Sequence, residues 1–315
     1  MKYLDEYRDS DITKTYIQAI KKISRKKKRL MEICGGQTHS IVKNGIDRLL
    51  ADEVELIHGP GCPVCVTPAA VIDDAVNIAE RENVIFCSFG DMLRVPGSKT
   101  NLIQARSRGA DVRMVYSPLD ALKIARENPE KEVVFFAIGF ETTTFPNAAT
   151  VQQAATKKIK NFSVLVSQVT VPPAVKTILD DPDSSIDGFL AAGHVCTVMG
   201  YEEYIPVSRQ YNVPIVVTGF EPVDIVSAIY NCLKQLHNNE ARVQNCYMRN
   251  VKKEGNKKAR QLIASIFKPC DFNWRGIGLI PQSGMCLQPE FSCYNARKKF
   301  ALAKTTAAAY SVCIS

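Results

Sequence analysis

Short apolar segments alternate with amphipathic helical segments along most of the chain, and this alternation constrains the fold more than any other feature. The apolar segments are roughly four to six residues long, and most precede a glycine-containing turn and then a helical segment. Clear examples lie at 30–34, 84–89, 133–138 and 215–217. Such segments between helices indicate parallel strands buried on both faces. We therefore expect an α/β protein.

The strand–helix units are numerous enough for two doubly wound, Rossmann-like parallel-sheet domains, which we expect to face a cleft. The alternation fades after Leu236, so a small C-terminal segment should pack back on the first domain. The predicted divisions are an N-terminal helical segment at 1–29, a first α/β domain with the cysteine motifs at 30–132, a second α/β domain at 133–236 and the C-terminal segment at 237–315. Two Gly-Phe-Glu turns, at Gly139 and Gly219, suggest a pseudo-repeat.

The sequence shows no apolar run near the roughly 20 residues needed to cross a bilayer. Its polar N-terminal stretch also lacks the apolar core of a signal peptide. We expect a cytoplasmic protein that does not bind membranes. The net charge of +8 is concentrated in part at 25–29, but no aromatic platform or nucleic-acid motif accompanies that run. This favours a solvated helix end over nucleic-acid binding.

Thiol and polar side chains follow the carboxyl ends of several predicted strands, where open α/β sheets bind ligands. These residues are Cys34, Cys62, Asp91, Glu141, His194 and Glu221. One edge of the sheets should therefore present thiols, carboxylates and an imidazole together. This inference follows from the strand pattern alone.

The strongest local signal is the Gly-Pro-Gly-Cys-Pro-Val-Cys motif at 59–65. The chain has 11 cysteines, which in a reducing compartment are better explained by metal binding, redox chemistry or burial than by a disulfide framework. Cys62 and Cys65 are separated by two residues, so they could bind one metal or cycle between dithiol and disulfide. A helix beginning near Thr67 would favour the Cys65 thiolate. The alternative is two incidental thiols in a turn.

A second signal is Cys34 at the end of a strand, followed by Gly35 and Gly36, which let the backbone approach a ligand closely. Thr38 is the predicted N-cap of the next helix. His39 would then lie in the first turn, where it could donate a hydrogen bond or relay a proton. A cysteine in such a place is often structural, but the paired cysteines in the same layer favour a functional site.

Two further groups of polar residues follow strands. Asp91 and Arg94 could form a structural ion pair or position an anionic ligand. Glu141 precedes three consecutive threonines, among them Thr142 and Thr143. Their hydroxyls could serve a polar or anionic ligand at a helix start, although helix capping alone would explain one of them.

In their order and setting, these motifs resemble those of the HypD family. They are CGGQTH at Cys34, HGPGCPVC at His58, FGDMLRVPG at Phe89, YSPLDAL at Tyr116, GFETTT at Gly139, GHV at Gly193 and GFEPVDI at Gly219. The resemblance runs from about Ile33 through Phe300 and so covers most of the chain. The combination of CGGQTH with GPGCPVC is highly specific.

The resemblance implies a scaffold for the iron-containing Fe(CN)2CO group of [NiFe] hydrogenases, rather than a conventional enzyme. HypD proteins work with HypC and receive cyanide from HypE, and the finished group passes to the hydrogenase large subunit. By resemblance, Cys34 matches the cysteine proposed to hold the iron, and Cys62 and Cys65 match a redox-active pair. We predict these three cysteines as metal ligands, and Cys62, Cys65 and His39 as catalytic groups. The matching polar positions around the cleft are His39, Asp91, Glu141, Thr142, His194 and Glu221.

HypD proteins usually carry a cysteine-rich C-terminal segment that ligates a [4Fe-4S] cluster. The sequence ends at Ser315, about where that segment should begin. The remaining candidates are Cys270, Cys286, Cys293 and Cys313. Because their spacing does not resemble a cluster motif, we expect this chain to bind little or no [4Fe-4S].

Two other functions remain open at this point. A stand-alone thiol–disulfide oxidoreductase would use Cys62 and Cys65 and would be indifferent to Cys34. A nucleotide-binding α/β enzyme is disfavoured, because neither G-x-G-x-x-G nor a P-loop follows any predicted strand.

Overall fold

The computed structural model describes residues 4–302 and contains two sheets interleaved with helices. The helices are α1 (Ser10–Ile23), α2 (Gly35–Lys43), α3 (Ile46–Leu49), α4 (Ala69–Ala79), α5 (Leu102–Ser107), α6 (Pro118–Glu127), α7 (Glu141–Thr156), α8 (Val171–Asp180), α9 (Gly193–Met199), α10 (Tyr204–Tyr211), α11 (Pro222–His237), α12 (Lys257–Ile266) and α13 (Ala296–Lys299). The strands are β1 (Lys28–Glu32), β2 (Val54–His58), β3 (Val84–Ser88), β4 (Asp111–Met114), β5 (Glu132–Gly139), β6 (Phe162–Val169), β7 (Gly188–Ala192), β8 (Ile215–Thr218), β9 (Val243–Asn245), β10 (Phe267–Trp274) and β11 (Gly278–Leu287). Short 3-10 helices lie at Asp5–Tyr7, Met92–Arg94 and Pro289–Tyr294.

One compact unit is formed by residues 4–62 and 174–257. Its five strands lie in the order β2-β1-β7-β8-β9, and every pair is parallel. Leu30, Leu190 and Val216 are buried in this sheet and pack with Ile20 of α1 and Ile229 of α11. The apolar strands are therefore covered by helices, as a parallel sheet requires.

The other compact unit is formed by residues 63–173 and 258–302. Its six strands lie in the order β10-β11-β6-β5-β3-β4. The strands β4, β3, β5 and β6 are parallel, and the β10–β11 hairpin adds to β6 in the antiparallel direction. Phe86 and Phe136 lie in the core, where their ring centroids are 5.9 Å apart in an edge-to-face arrangement.

The expected α/β class with two Rossmann-like sheets is confirmed. The two sheets do not follow the predicted division into consecutive domains at 30–132 and 133–236. Strand β3 pairs with β5, which lies on the other side of that boundary. Likewise, β1 pairs with β7, so Leu30 lies beside Gly188. Neighbouring strands in sequence are usually neighbours in space, but this is only a tendency. The local pattern does not encode which distant strand completes a sheet.

The described part of the chain contains no helix that is both long and apolar enough to span a membrane. Its longest helices, α7 and α11, have 16 residues each.

Trp274 closes the core of the second unit at the end of β10. Its side chain is 1% exposed, and its Nε1–H donates to the Ser283 hydroxyl at 2.8 Å. The Ser283 hydroxyl in turn donates to the carbonyl oxygen of Ile280 at 2.8 Å. A buried indole N–H thus depends on a single serine oxygen from the neighbouring strand.

We predict that Ser283→Ala lowers the free energy of unfolding by about 1–3 kcal/mol, because the buried indole N–H loses its acceptor. Trp274 is the one tryptophan of the sequence, so its fluorescence during urea denaturation provides the measurement. Ser265→Ala, at an exposed position of α12, is the control and should change stability by less than about 0.5 kcal/mol. Equal effects of the two substitutions would contradict this role of Ser283.

Candidate functional site

Cys34 lies where β1 gives way to α2 in the first unit, and it caps that helix. Its backbone is extended, and its Sγ accepts a hydrogen bond from the Gly36 N–H at 3.4 Å. The residue is 7% exposed. The prediction of Thr38 as the N-cap is wrong, because the helix begins at Gly35 and Thr38 lies within it.

A buried carboxylate, that of Glu32, is hydrogen-bonded to the backbone of this cysteine. Glu32 is fully buried and accepts hydrogen bonds from the Cys34 N–H at 2.8 Å and from Nδ1 of His58 at 2.7 Å. The Thr38 hydroxyl donates to the same carboxyl group. Three donors compensate for removing this charge from water. Glu32 therefore fixes both the turn at Cys34 and the end of β2.

Glu32 and the ring of His58 were not among the predicted site residues. A signal was present in the sequence, namely a single acidic residue inside the apolar segment 30–34. Such a carboxylate is buried only where several donors meet it. An acid at the buried end of a strand, next to a motif cysteine, therefore indicates a supporting network.

His194 lies in the first turn of α9, the helix that follows β7, and is a neighbour of Cys34. Its Nδ1 is 3.8 Å from Cys34 Sγ, and its ring packs on Phe220 with centroids 5.3 Å apart. Burial lowers the pKa of His194, so the imidazole is neutral at neutral pH. Burial also raises the pKa of Cys34, opposed by the backbone N–H groups of Gly36 and Gln37. A protonated thiol thus faces a neutral imidazole.

The loop that carries Cys62 packs against the backbone of Cys34. A Cβ atom at Gly61 would lie 2.6 Å from both the Cα and the N atom of Cys34. The Gly59 N–H donates to the Glu32 carbonyl oxygen at 2.8 Å. Only glycine allows this approach. Cys62, which is half-buried, directly follows Gly61, the residue that contacts the Cys34 backbone.

The other predicted residues of this unit have different settings. His39 is exposed on α2. Glu221 is bound by Arg8, whose Nε and Nη2 donate at 2.6 and 2.9 Å, and this pairing lowers the pKa of Glu221. The nearby Asp224 is buried and paired with Arg249. Glu221 therefore ties the N-terminal segment to the start of α11.

In the second unit, Cys65 is exposed. The Asp91 carboxylate accepts from the Met92 N–H at 2.9 Å and thereby caps a short 3-10 helix. Arg94 is exposed at the end of that helix. Asp91 thus has a capping role in its own turn.

Glu141 is the first residue of α7. The polar side chains that begin this helix form hydrogen bonds with backbone groups. The buried Glu141 accepts from the Val171 N–H at 2.8 Å. The Thr143 hydroxyl donates to the Phe140 carbonyl at 3.0 Å and accepts from the Gln168 amide at 3.2 Å, whereas Thr142 is half-buried. These contacts account for the Thr143 hydroxyl without a ligand.

Arg275, in the turn of the β10–β11 hairpin, provides positive charge near Cys65. Its N–H donates to the Val66 carbonyl at 2.8 Å, and its Nη2 donates to the Pro96 carbonyl at 2.9 Å. Burial lowers the pKa of Arg275, while the Asp73 carboxylate and the Cys65 thiol raise it. The same charge favours the Cys65 thiolate over the thiol.

Within residues 4–302, no three His, Cys, Asp or Glu side chains are grouped so that they could hold a metal ion. Cys293 is exposed, and Cys270 and Cys286 lie on the β10–β11 hairpin. Cys313 lies outside the described residues.

Comparison with known proteins agrees with the motif pattern. The family model described as "HypD: Hydrogenase formation hypA family" matches residues 11–315. The chain belongs to the HypD family. It is 46% identical over 311 residues to the hydrogenase maturation factor HypD of Azotobacter vinelandii, covering 96% of this chain and 82% of the relative.

Two further relatives give the same result. The hydrogenase maturation factor HypD of Rhodobacter capsulatus is 45% identical over 308 residues, which cover 95% of this chain and 82% of the relative. The hydrogenase maturation factor HypD of Escherichia coli is 44% identical over 310 residues, which cover 95% of this chain and 83% of the relative. The resemblance to the HypD family that the motifs indicated is therefore confirmed.

We predict that Gly61→Ala and Gly35→Ala have opposite effects on stability. The new methyl group at Gly61 would collide with the Cys34 backbone, so the free energy of unfolding should fall by about 1–3 kcal/mol. At Gly35 no atom lies within 4 Å of the new methyl group, and alanine should stabilise the helix by about 0.4–1 kcal/mol. Urea denaturation followed by circular dichroism measures both, and a stable Gly61→Ala protein would contradict the close packing.

We also predict that Arg275→Gln slows alkylation of Cys65 by iodoacetamide about fivefold, because a nearby charge worth ~1 kcal/mol no longer favours the thiolate. The rate is measured by mass spectrometry of the peptide that contains Cys65. Arg106→Gln, on α5, serves as the control and should leave the rate unchanged. An unaltered rate in Arg275→Gln would show that the guanidinium does not act on Cys65.

Proposed function

We propose that the chain is a hydrogenase maturation factor that holds the iron of an Fe(CN)2CO group through Cys34 while the group is assembled, and that it then releases the group. Membership of the HypD family and the names of its relatives support the maturation role. The observation that carries the site assignment is the setting of the Cys34 thiol. Its Sγ lies 3.8 Å from His194 Nδ1, and the Cys34 N–H donates to the buried Glu32 carboxylate. The iron group is cargo in this proposal.

The donor chemistry supports iron with diatomic ligands. A thiolate is a soft ligand and suits such iron. Because no three potential ligands cluster within residues 4–302, the coordination of the iron would be incomplete in this chain. We propose that the partner HypC completes it, that HypE supplies the cyanide, and that the hydrogenase large subunit receives the finished group. Incomplete coordination makes release feasible.

Loading the iron requires a proton to leave Cys34. The raised pKa of Cys34 means that the free site holds a thiol, whereas the metal binds a thiolate. His194 Nδ1 is the neighbouring acceptor at 3.8 Å, and its lowered pKa keeps it available in the neutral form. We propose His194 as the group that accepts the cysteine proton when iron binds.

The start of α2 provides hydrogen-bond donors for an anionic iron group. Gly35 and Gly36 are exposed, and the helix of nine residues directs its positive end toward Cys34. Bound cyanide needs donors at its nitrogen. We propose that backbone N–H groups of this turn, together with the exposed His39, supply them.

Cys62 and Cys65 would supply redox chemistry to the same process. Cys65 is exposed and has Arg275 near it, which suits a reactive thiol. The same two features also support the alternative of a stand-alone thiol–disulfide oxidoreductase. The alternatives differ in one respect, since only the scaffold depends on Cys34.

We predict that the chain, purified without oxygen together with HypC from cells that contain HypE, shows cyanide and carbonyl stretching bands in its infrared spectrum. Cys34→Ala should abolish these bands because the iron loses its thiolate. Cys293→Ser, at an exposed cysteine outside the site, is the control and should retain them.

Two outcomes would decide against the scaffold. Bands of full intensity in Cys34→Ala would remove Cys34 from the iron site. Turnover of a disulfide substrate by the chain alone, equal in the parent and in Cys34→Ala, together with an absence of iron, would favour the oxidoreductase.

A further inference from the structure

Cys270 and Cys286 lie on the two strands of the β10–β11 hairpin, outside the residues assigned to the iron group. The register pairs Cys270 with Gly284 and Lys268 with Cys286. Directly opposite residues, and residues two positions apart along a strand, share one face of a sheet. The two thiols are therefore diagonal neighbours on the same face. We propose that they form a dithiol that small-molecule disulfides, such as glutathione disulfide, oxidise reversibly to a cross-strand disulfide.

The two side chains interact directly. The pKa of Cys270 is raised to about 12, chiefly by burial and in addition by the neighbouring Cys286, while Lys268 opposes the shift. Such a mutual influence requires that the two thiols are neighbours, which agrees with their diagonal positions in the ladder.

The pair lies where a small reagent can reach it. Gly284, directly opposite Cys270, has no side chain, and Cys286 lies two positions farther along the same strand on the same face. Both cysteines are half-buried, and β10 is the edge strand of its sheet. A tripeptide disulfide can reach such a position, whereas the fully buried Cys87 and Cys232 are shielded.

The oxidation is an ordinary thiol–disulfide exchange in two steps. Cys286, as the thiolate, attacks one sulfur of the small disulfide, forms a mixed disulfide and expels one small thiolate. Cys270 then loses its proton and attacks the Cys286 sulfur, which releases the second small thiol. The protein loses two electrons and two thiol protons, and the small disulfide gains them. The raised pKa of Cys270 makes it the second thiol to react.

The geometry of the hairpin makes such a bond reversible. Cα atoms of diagonal neighbours are typically about 7–8 Å apart, whereas disulfides usually join Cα atoms about 4.4–6.8 Å apart. The strands must therefore move together slightly, and disulfides formed under strain are readily reduced. The ladder is irregular between Cys270 and Phe272, so the hydrogen-bonded pairing is disrupted next to Cys270.

The experiment uses the 315-residue chain, first reduced and then incubated with glutathione disulfide. Free thiols are blocked with N-ethylmaleimide, and a tryptic digest is analysed by mass spectrometry without reduction. Trypsin leaves Cys270 in peptide 261–275 and places Cys286 with Cys293 in peptide 276–297. We expect a disulfide that joins these two peptides and disappears after treatment with dithiothreitol.

Matched variants identify the partner of Cys270. Cys293→Ser should retain the link between the two peptides, whereas Cys286→Ser should reduce it to background. Cys286→Val, whose β-branched side chain suits a strand, repeats the test if the serine disturbs folding, which circular dichroism monitors. A link that persists in both Cys286 variants would overturn the proposal. Separate glutathione adducts on Cys270 and Cys286, with no link, would overturn it as well.

The same digest separates this proposal from the proposed function. Cys62 and Cys65 lie together in peptide 49–81, so their oxidation is observed independently. A Cys270–Cys286 link should form equally in Cys34→Ala and in Cys62→Ser, because neither residue belongs to the hairpin. Loss of the link in these two variants would contradict an autonomous hairpin site.

Discussion

The buried carboxylate of Glu32 is the interaction on which the arrangement around Cys34 depends. A carboxylate removed from water is stable only when donors surround it, and here the donors come from three segments. The Cys34 N–H, the His58 ring and the Thr38 hydroxyl all meet the same group. One side chain therefore joins the ends of two strands to the helix that carries the candidate iron ligand. The Gly59 N–H, bound to the carbonyl of Glu32, reinforces this junction through the backbone.

The sequence was sufficient to predict what depends on local pattern. The alternation of strands and helices predicted the α/β class, and the CGGQTH and GPGCPVC motifs indicated the family. Thr38 was expected to cap α2, because threonine is a frequent cap and cysteine is not. The extended backbone of Cys34 instead brings its Sγ to the Gly36 N–H. A preference averaged over many helices does not include the geometry of one strand end.

Residues that depend on distant contacts were harder to predict. The hydroxyl of Thr143 could have served a ligand, but Gly139 adopts a φ of +148°, and a Cβ there would collide with the Thr143 side chain. This turn directs the hydroxyl to the Phe140 carbonyl and to the Gln168 amide. The supporting role of Glu32 likewise requires His58 from another strand. Neither partner can be identified from spacing along the chain.

The pairing of β1 with β7 also affects how the protein is synthesised. Leu30 leaves the ribosome long before Gly188, its neighbour in the sheet. Until then, one side of β1 exposes unpaired N–H and carbonyl groups, which invite association with other chains. The loop that must close is long, and such non-local pairing slows folding. The nascent chain therefore passes through an extended period in which its first strands need protection from aggregation.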